Sequence, residues 1–233
     1  MQNVMLPQPF LKPFPAAEAV FVDPVARYER HLNPLVSVDL SAVDAGLTGW
    51  VHLVSPIEPY DGFLGDNGEE GWGPYLQPNW IGFRLTSDHR YELLGDFRFF
   101  AVENMEGAAR YRGARAAVAE SYDGQHASFS AHKAAFRRTG QVCRIRSAAD
   151  PLPVAALSQL GGDAPIGNMR WSNVAGAAFT YSDDDTAPKT RDGRLYRFIA
   201  SVPGWHYRDS GADEILLYYD PVERIVLETF VFT

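Results

Sequence analysis

"EILLYYDPVERIVLETFVFT", Glu214 to Thr233, decides the fold. Ile215 to Tyr219 and Ile225 to Phe232 are runs of apolar, aromatic and β-branched residues, which suit a pleated surface that packs on both sides. Between them stands Asp220-Pro221-Val222-Glu223, where the fixed φ of proline and the side chain of aspartate favour a turn. The stretch therefore predicts an antiparallel hairpin. Just upstream, "RLYRFIASV" sets Leu195, Arg197, Ile199 and Ser201 against Tyr196, Phe198, Ala200 and Val202, and this alternation predicts another strand.

Working outward, "NWIGFRLTS" and "RYELLGDFRFFAVEN" flank a turn at Ser87-Asp88-His89-Arg90 and predict a second hairpin. "PLVSVDLSAV" and "TGWVHLVSPI" predict two more strands. The latter places Trp50, His52 and Val54 on one face and Val51, Leu53 and Ser55 on the other. Pro7, Pro9, Pro13 and Pro15 make the first segment an extended arm over the body. "FVDPVARYERHL" predicts a short helix started at Asp23, with Pro24 in its first turn.

Helical periodicity is confined to the middle of the chain. Tyr111, Val118, Tyr122, Phe129 and Phe136 form one aromatic stripe among many alanines. Asp123-Gly124 interrupts it, leaving either one kinked helix or two in sequence, and Gly140 is the expected stop. "QVCRIRS" then predicts a returning strand with Cys143 buried. "AADPLPVAALSQLGGDAPIGN" is a connection with a short helix expected over Val154 to Leu160, and it marks the internal boundary. The expected organisation is residues 1–146 (arm, strands and central helix) and 147–233 (β-rich), packed as one globular unit. The fold class is α+β, dominated by antiparallel sheet, with a prominent aromatic-striped helix region in the middle.

The 233 residues include 21 basic and 29 acidic side chains, for a net charge of −8. That excludes a broad nucleic-acid surface, which needs clustered Lys and Arg. Lys133, Arg137 and Arg138 instead suit the polar face of the helix. A lone cysteine rules out an intrachain disulfide and a cysteine-based zinc site. With no signal-peptide pattern and no apolar run near the ~20 residues of a membrane span, a cytoplasmic protein without membrane contact is expected.

Candidate binding residues lie in two acidic loops. "GDNGEEGWG", Gly65 to Gly73, carries Asp66, Glu69, Glu70 and Trp72, with Tyr75 and Trp80 close behind; Asp183, Asp184 and Asp185 sit in "YSDDDTAPKTRDG". Neither Asp61 nor Asp66 opens a register with the ligands of a calcium EF-hand loop, and no lysine follows the glycines as a phosphate cradle requires. His126 and His132 are six residues apart, roughly 600° around a helix, so they do not share a metal. HExxH and G-x-S-x-G are both missing. No metal or cofactor is expected, and catalytic residues are left unassigned.

Two stretches carry a family resemblance. "DGRLYRFIASVPGWHYRDSGADEILLYYDPVERIVLETFVFT" is similar to the carboxy-terminal region of bacterial proteins of the YwqG-like type, and "RYRGARAAVAESYDGQHASFSAHKAAF" resembles the Tyr/Phe-studded helix of related sequences. Together they cover about a third of the chain. Their shared features are packing motifs, so the resemblance implies a fold and a bacterial origin and lends no catalytic residue. The functional expectation is a non-catalytic binding protein, specifically an immunity-like acidic inhibitor of a basic protein partner. The alternative is a carbohydrate-binding or carbohydrate-active protein that uses Trp72, Tyr75, Trp80 and Trp171 beside Asp61 or Asp66. A homodimer that covers exposed aromatics is a third expectation.

Overall fold

The computed structural model describes residues 8–59, 64–65, 69–104, 111, 113–145, 151–165, 176–182 and 185–232. The fold is α+β and dominated by antiparallel sheet. The N-terminal arm contributes β1 (Leu11–Pro13), followed by the short helices α1 (Ala17–Val20) and α2 (Val25–Glu29). Then come β2 (Leu32–Asp39) and β3 (Trp50–Pro56), and these strands form a three-stranded antiparallel sheet in the order β1-β2-β3. Prolines suit β1 because it is an edge strand with one side free of ladder bonds. Pro13 stands opposite Val36.

The next hairpin follows β4 (Leu76–Gln77) and consists of β5 (Trp80–Leu85) and β6 (Tyr91–Leu93). Thr86 closes its turn, its hydroxyl donating to Asp88 at 2.6 Å and accepting from Arg90 N–H at 2.9 Å. β6 is shorter than the sequence pattern suggests. The Asp96 carboxylate accepts Arg98 N–H at 2.8 Å, and this cap rolls the chain into 3-10 turns over Phe97–Phe99 and Ala101–Glu103. Phe99 and Phe100 are buried all the same.

Helix α3 (Arg115–Thr139) runs unbroken through Gly124 and settles the choice between one helix and two. It buries Val118, Tyr122, Gln125, Phe129, His132 and Ala135, a stripe spaced by threes and fours. Gly140 ends it in the left-handed region at φ 71°, its N–H donating to the Phe136 carbonyl at 2.7 Å. The arm reaches this helix through Phe14, whose ring lies 5.5 Å from Phe129, 5.4 Å from Phe136 and 4.9 Å from Tyr207.

Beyond the helix, β7 (Cys143–Ile145) pairs with β8 (Pro151–Pro153), and Cys143 is buried. The helix expected over Val154 to Leu160 does not form. Ser158 N–H and Gly161 N–H donate instead to the carbonyls of Ser201 and Ile199, each at 2.8 Å, and the segment becomes β9 (Gln159–Leu160). An open strand edge satisfies these backbone donors where a single helical turn would leave most of them unpaired. The small hairpin of β10 (Phe179–Thr180) and β11 (Lys189–Thr190) follows, then β12 (Arg197–Val202), β13 (Glu214–Asp220) and β14 (Ile225–Val231). The seven-stranded sheet has the order β4-β5-β14-β13-β12-β9, with β6 added on β5, so strands from both sides of α3 share it.

Both faces of this sheet are covered. Ile199, Leu217, Val226 and Phe230 join the main core with the three-stranded sheet. Trp80, Phe198, Leu216, Tyr218 and Leu227 pack under Phe179, Tyr181, Ala187 and Tyr196. Every residue of β14 is therefore buried, which explains its nearly continuous apolar text.

Glu228 is the charged exception. The outer edge of β3 faces the large sheet without a strand partner, and side chains supply the missing ladder. Tyr91 Oη accepts His52 N–H at 2.7 Å and donates to the His52 carbonyl at 2.8 Å, while Glu228 Oε2 accepts Val54 N–H at 3.0 Å. Complete burial raises the Glu228 carboxyl well above its ordinary 4.5. A raised carboxyl stabilises the fold most below its unfolded value and loses that contribution as pH rises towards the folded one. Glu228→Gln keeps an acceptor for Val54 and should flatten this alkaline loss in urea melts between about pH 5 and pH 9. Glu228→Leu orphans the Val54 N–H and should cost about 1–3 kcal/mol at neutral pH in the same melts.

Candidate functional site

The described parts of the two acidic loops are held largely by their own contacts. Asp61, Asp66, Trp171, Asp183 and Asp184 lie outside the described residues, as does the side chain of Glu70. Glu69 is exposed in a 3-10 turn, Glu69–Gly71. That turn is pinned from inside: a Cβ on Gly71 would stand 2.4 Å from Phe99 Cα, so only glycine allows the two backbones to touch. Trp72 is half-buried, and its indole N–H donates to the Gly65 carbonyl at 2.9 Å. Tyr75 packs against the aromatic face of the large sheet. Trp80 is fully buried, 5.1 Å from the Phe179 ring and 5.5 Å from the Tyr181 ring, with no open face for a sugar. Asp185 accepts Ser182 N–H and Oγ–H, each at 3.0 Å, and pairs with Lys189, whose ammonium lowers its pKa. The stretches flanking the loops meet where Ala178 N–H donates to the Pro74 carbonyl at 2.7 Å.

Two buried histidines carry the arrangement nearest to catalysis. His52 Nε2–H donates to the His89 carbonyl at 2.8 Å, so its Nδ1 accepts from Ser37 Oγ at 2.8 Å. A serine donating to an imidazole is the geometry of an activated nucleophile. Here Ser37 and His52 are 2% and 3% exposed, and no substrate reaches them. His31 Nε2 donates to Glu103 at 3.0 Å and its ring stacks on Phe100 at 4.6 Å. Burial holds both histidines down to about 4, and for His31 it outweighs the adjacent carboxylate. Among the described residues no three of His, Cys, Asp and Glu come together to hold a metal ion. His126 is half-buried, while buried His132 donates Nδ1–H to the Ser128 carbonyl at 3.0 Å.

The more open chemistry lies at the β9 side of the large sheet, in a cavity of about 300 Å³. Ser158, Gln159, Ser201 and Glu214 supply its polar groups, and Pro165, Leu216 and Val231 its apolar wall. The strands fix this grouping: Ser201 stands opposite both Gln159 and Leu216, and Glu214 opposite Val231. Ser158 Oγ donates to Glu214 Oε2 at 3.4 Å. Neither Glu214 Oε1 nor Ser201 Oγ makes a hydrogen bond of good geometry, although both atoms are buried. Burial raises the Glu214 carboxyl, and the nearby hydroxyls of Ser201 and Ser158 oppose that shift, with no cation among the described residues to help them. This is a size at the lower end of small-ligand pockets, with convergent polar groups in an apolar wall.

Nothing in the sequence around Glu214 marks it, because its neighbours Ser158 and Ser201 are remote in the chain. Glu228 had a visible signal as a lone charge in an apolar strand. No family model, curated protein or solved structure matches this chain.

The two buried histidines predict a loss of stability in acid. A depressed pKa contributes stability above the unfolded value of 6.5 that is lost as pH falls through the folded value. Stability should therefore drop between pH 6.5 and about 4, by up to about 3 kcal/mol per histidine. His52→Asn should remove part of the slope in urea melts across this range, and a slope unchanged by that variant would assign the loss elsewhere.

Proposed function

We propose that this chain is a non-catalytic bacterial binding protein that recognises a cationic partner, acting as an immunity-like acidic inhibitor of a basic protein. The observation that carries this reading is the Glu214 cavity, lined by a carboxylate with no cationic partner among the described residues. The net charge of −8 supports it by drawing basic surfaces from a distance. The exposed Glu69 supports it further. The serine and histidine nearest to catalytic geometry are enclosed, which favours binding over chemistry. The resemblance to YwqG-like proteins belongs to the same proposal. It rests on the stretches Arg110 to Phe136 and Asp192 to Thr233, and a YwqG-like structure with a different strand order would remove it.

The test is a titration of purified basic proteins, toxin domains included, across a salt series. Affinity should fall by about tenfold or more between low and high salt. It should also fall when Asp66, Glu69, Glu70 or Asp183 to Asp185 are neutralised. Binding that ignores both changes would refute the reading.

A further inference from the structure

We infer that the Glu214 cavity takes a protonated primary amine carried on a short apolar stem, the chemistry shared by a free alkylamine and a lysine side chain of a basic partner. This inference rests on the binding reading above and names what the site recognises. Of the Glu214 oxygens, Oε2 accepts from Ser158 Oγ, and Oε1 is buried beside the Ser201 hydroxyl without a hydrogen bond of good geometry. Ser201 is completely buried, and its hydroxyl lies near enough to the Glu214 carboxyl to lower it, although its Oγ makes no hydrogen bond of good geometry. Both residues line the cavity. Buried polar atoms left in this state cost free energy until a ligand satisfies them.

The available groups are mainly acceptors. The Gln159 amide nitrogen is committed to the Gly161 carbonyl at 2.9 Å and the Asp163 carbonyl at 2.6 Å, which leaves its side-chain oxygen to accept. Glu214 Oε1, Ser201 Oγ and Gln159 Oε1 thus offer acceptors to the N–H donors of an ammonium. A guanidinium fits less well, since it seeks both oxygens of a carboxylate in a fork and one is already taken. An anion would meet Glu214 with no lysine or arginine among the groups that shift its carboxyl. Leu216, Val231 and Pro165 provide the wall for an aliphatic stem.

The experiment is calorimetric titration of the intact protein with n-butylammonium, n-butanol, n-butylguanidinium and a capped lysine. Butylammonium should bind saturably, with butanol and butylguanidinium weaker by about tenfold or more. Glu214→Gln should lower the butylammonium affinity by about tenfold. Ser201→Ala leaves the charge in place and should lower it about threefold, which keeps the test sound if the first variant folds poorly. Capped lysine matching butylammonium would make the source a partner's side chain; butylammonium alone would make it a free amine. Equal binding of amine and alcohol, or no saturable binding, overturns the inference. A basic protein whose salt-dependent affinity survives Glu214→Gln overturns it too while leaving the binding reading intact. Saturable amine binding with no basic protein partner does the reverse.

Discussion

The unpaired edge of β3 is the constraint on which the arrangement of the two sheets depends. Backbone groups buried at a strand edge must find partners, and here Tyr91 and Glu228 take the place of a neighbouring strand. Tyr91 lies on β6 and Glu228 on β14, and both strands pair with β5. A shift of register in any of them would withdraw a hydroxyl or carboxyl from β3 and turn its side chains to the opposite face. The three small polar contacts therefore couple registers that the apolar core alone would specify less sharply.

This explains which parts of the fold are legible in the sequence. The β13–β14 hairpin is legible because its residues are buried on both faces and its turn has its own chemistry. The helix is legible because Val118, Tyr122 and Phe129 repeat with its period, and Gly140 marks its end. Val154 to Leu160 is different: its apolar residues satisfy either a helix or a strand, and the open edge of β12 decides the matter from a distance. β6 is cut short by the Asp96 cap, a local signal that the aromatic run after it obscures. For Trp80, pattern identifies a strand residue but not the aromatic layer that encloses its indole.

The candidate site sits beside a short edge strand. β9 is two residues long, whereas β12 and β13 continue beyond it. The cavity lies beside this short strand, on the sheet face that carries Ser201, Leu216 and Val231. Its chemistry joins residues from three separate stretches of chain, and none of them forms a motif with its own sequence neighbours. The acidic loops, in contrast, are conspicuous as text, yet Trp72 and Asp185 are occupied by contacts that hold their own loops together.

The place of β14 between β13 and β5 has a consequence for the order of assembly. During synthesis β5 emerges early and β13 late, and no direct ladder joins them. The strand that bridges them is made after both, so the sheet cannot close until Val231 has left the ribosome. Until then the β5–β6 hairpin has an unpaired edge where β14 will lie. The large sheet is thus dominated by pairings remote in sequence, a topology that closes slowly.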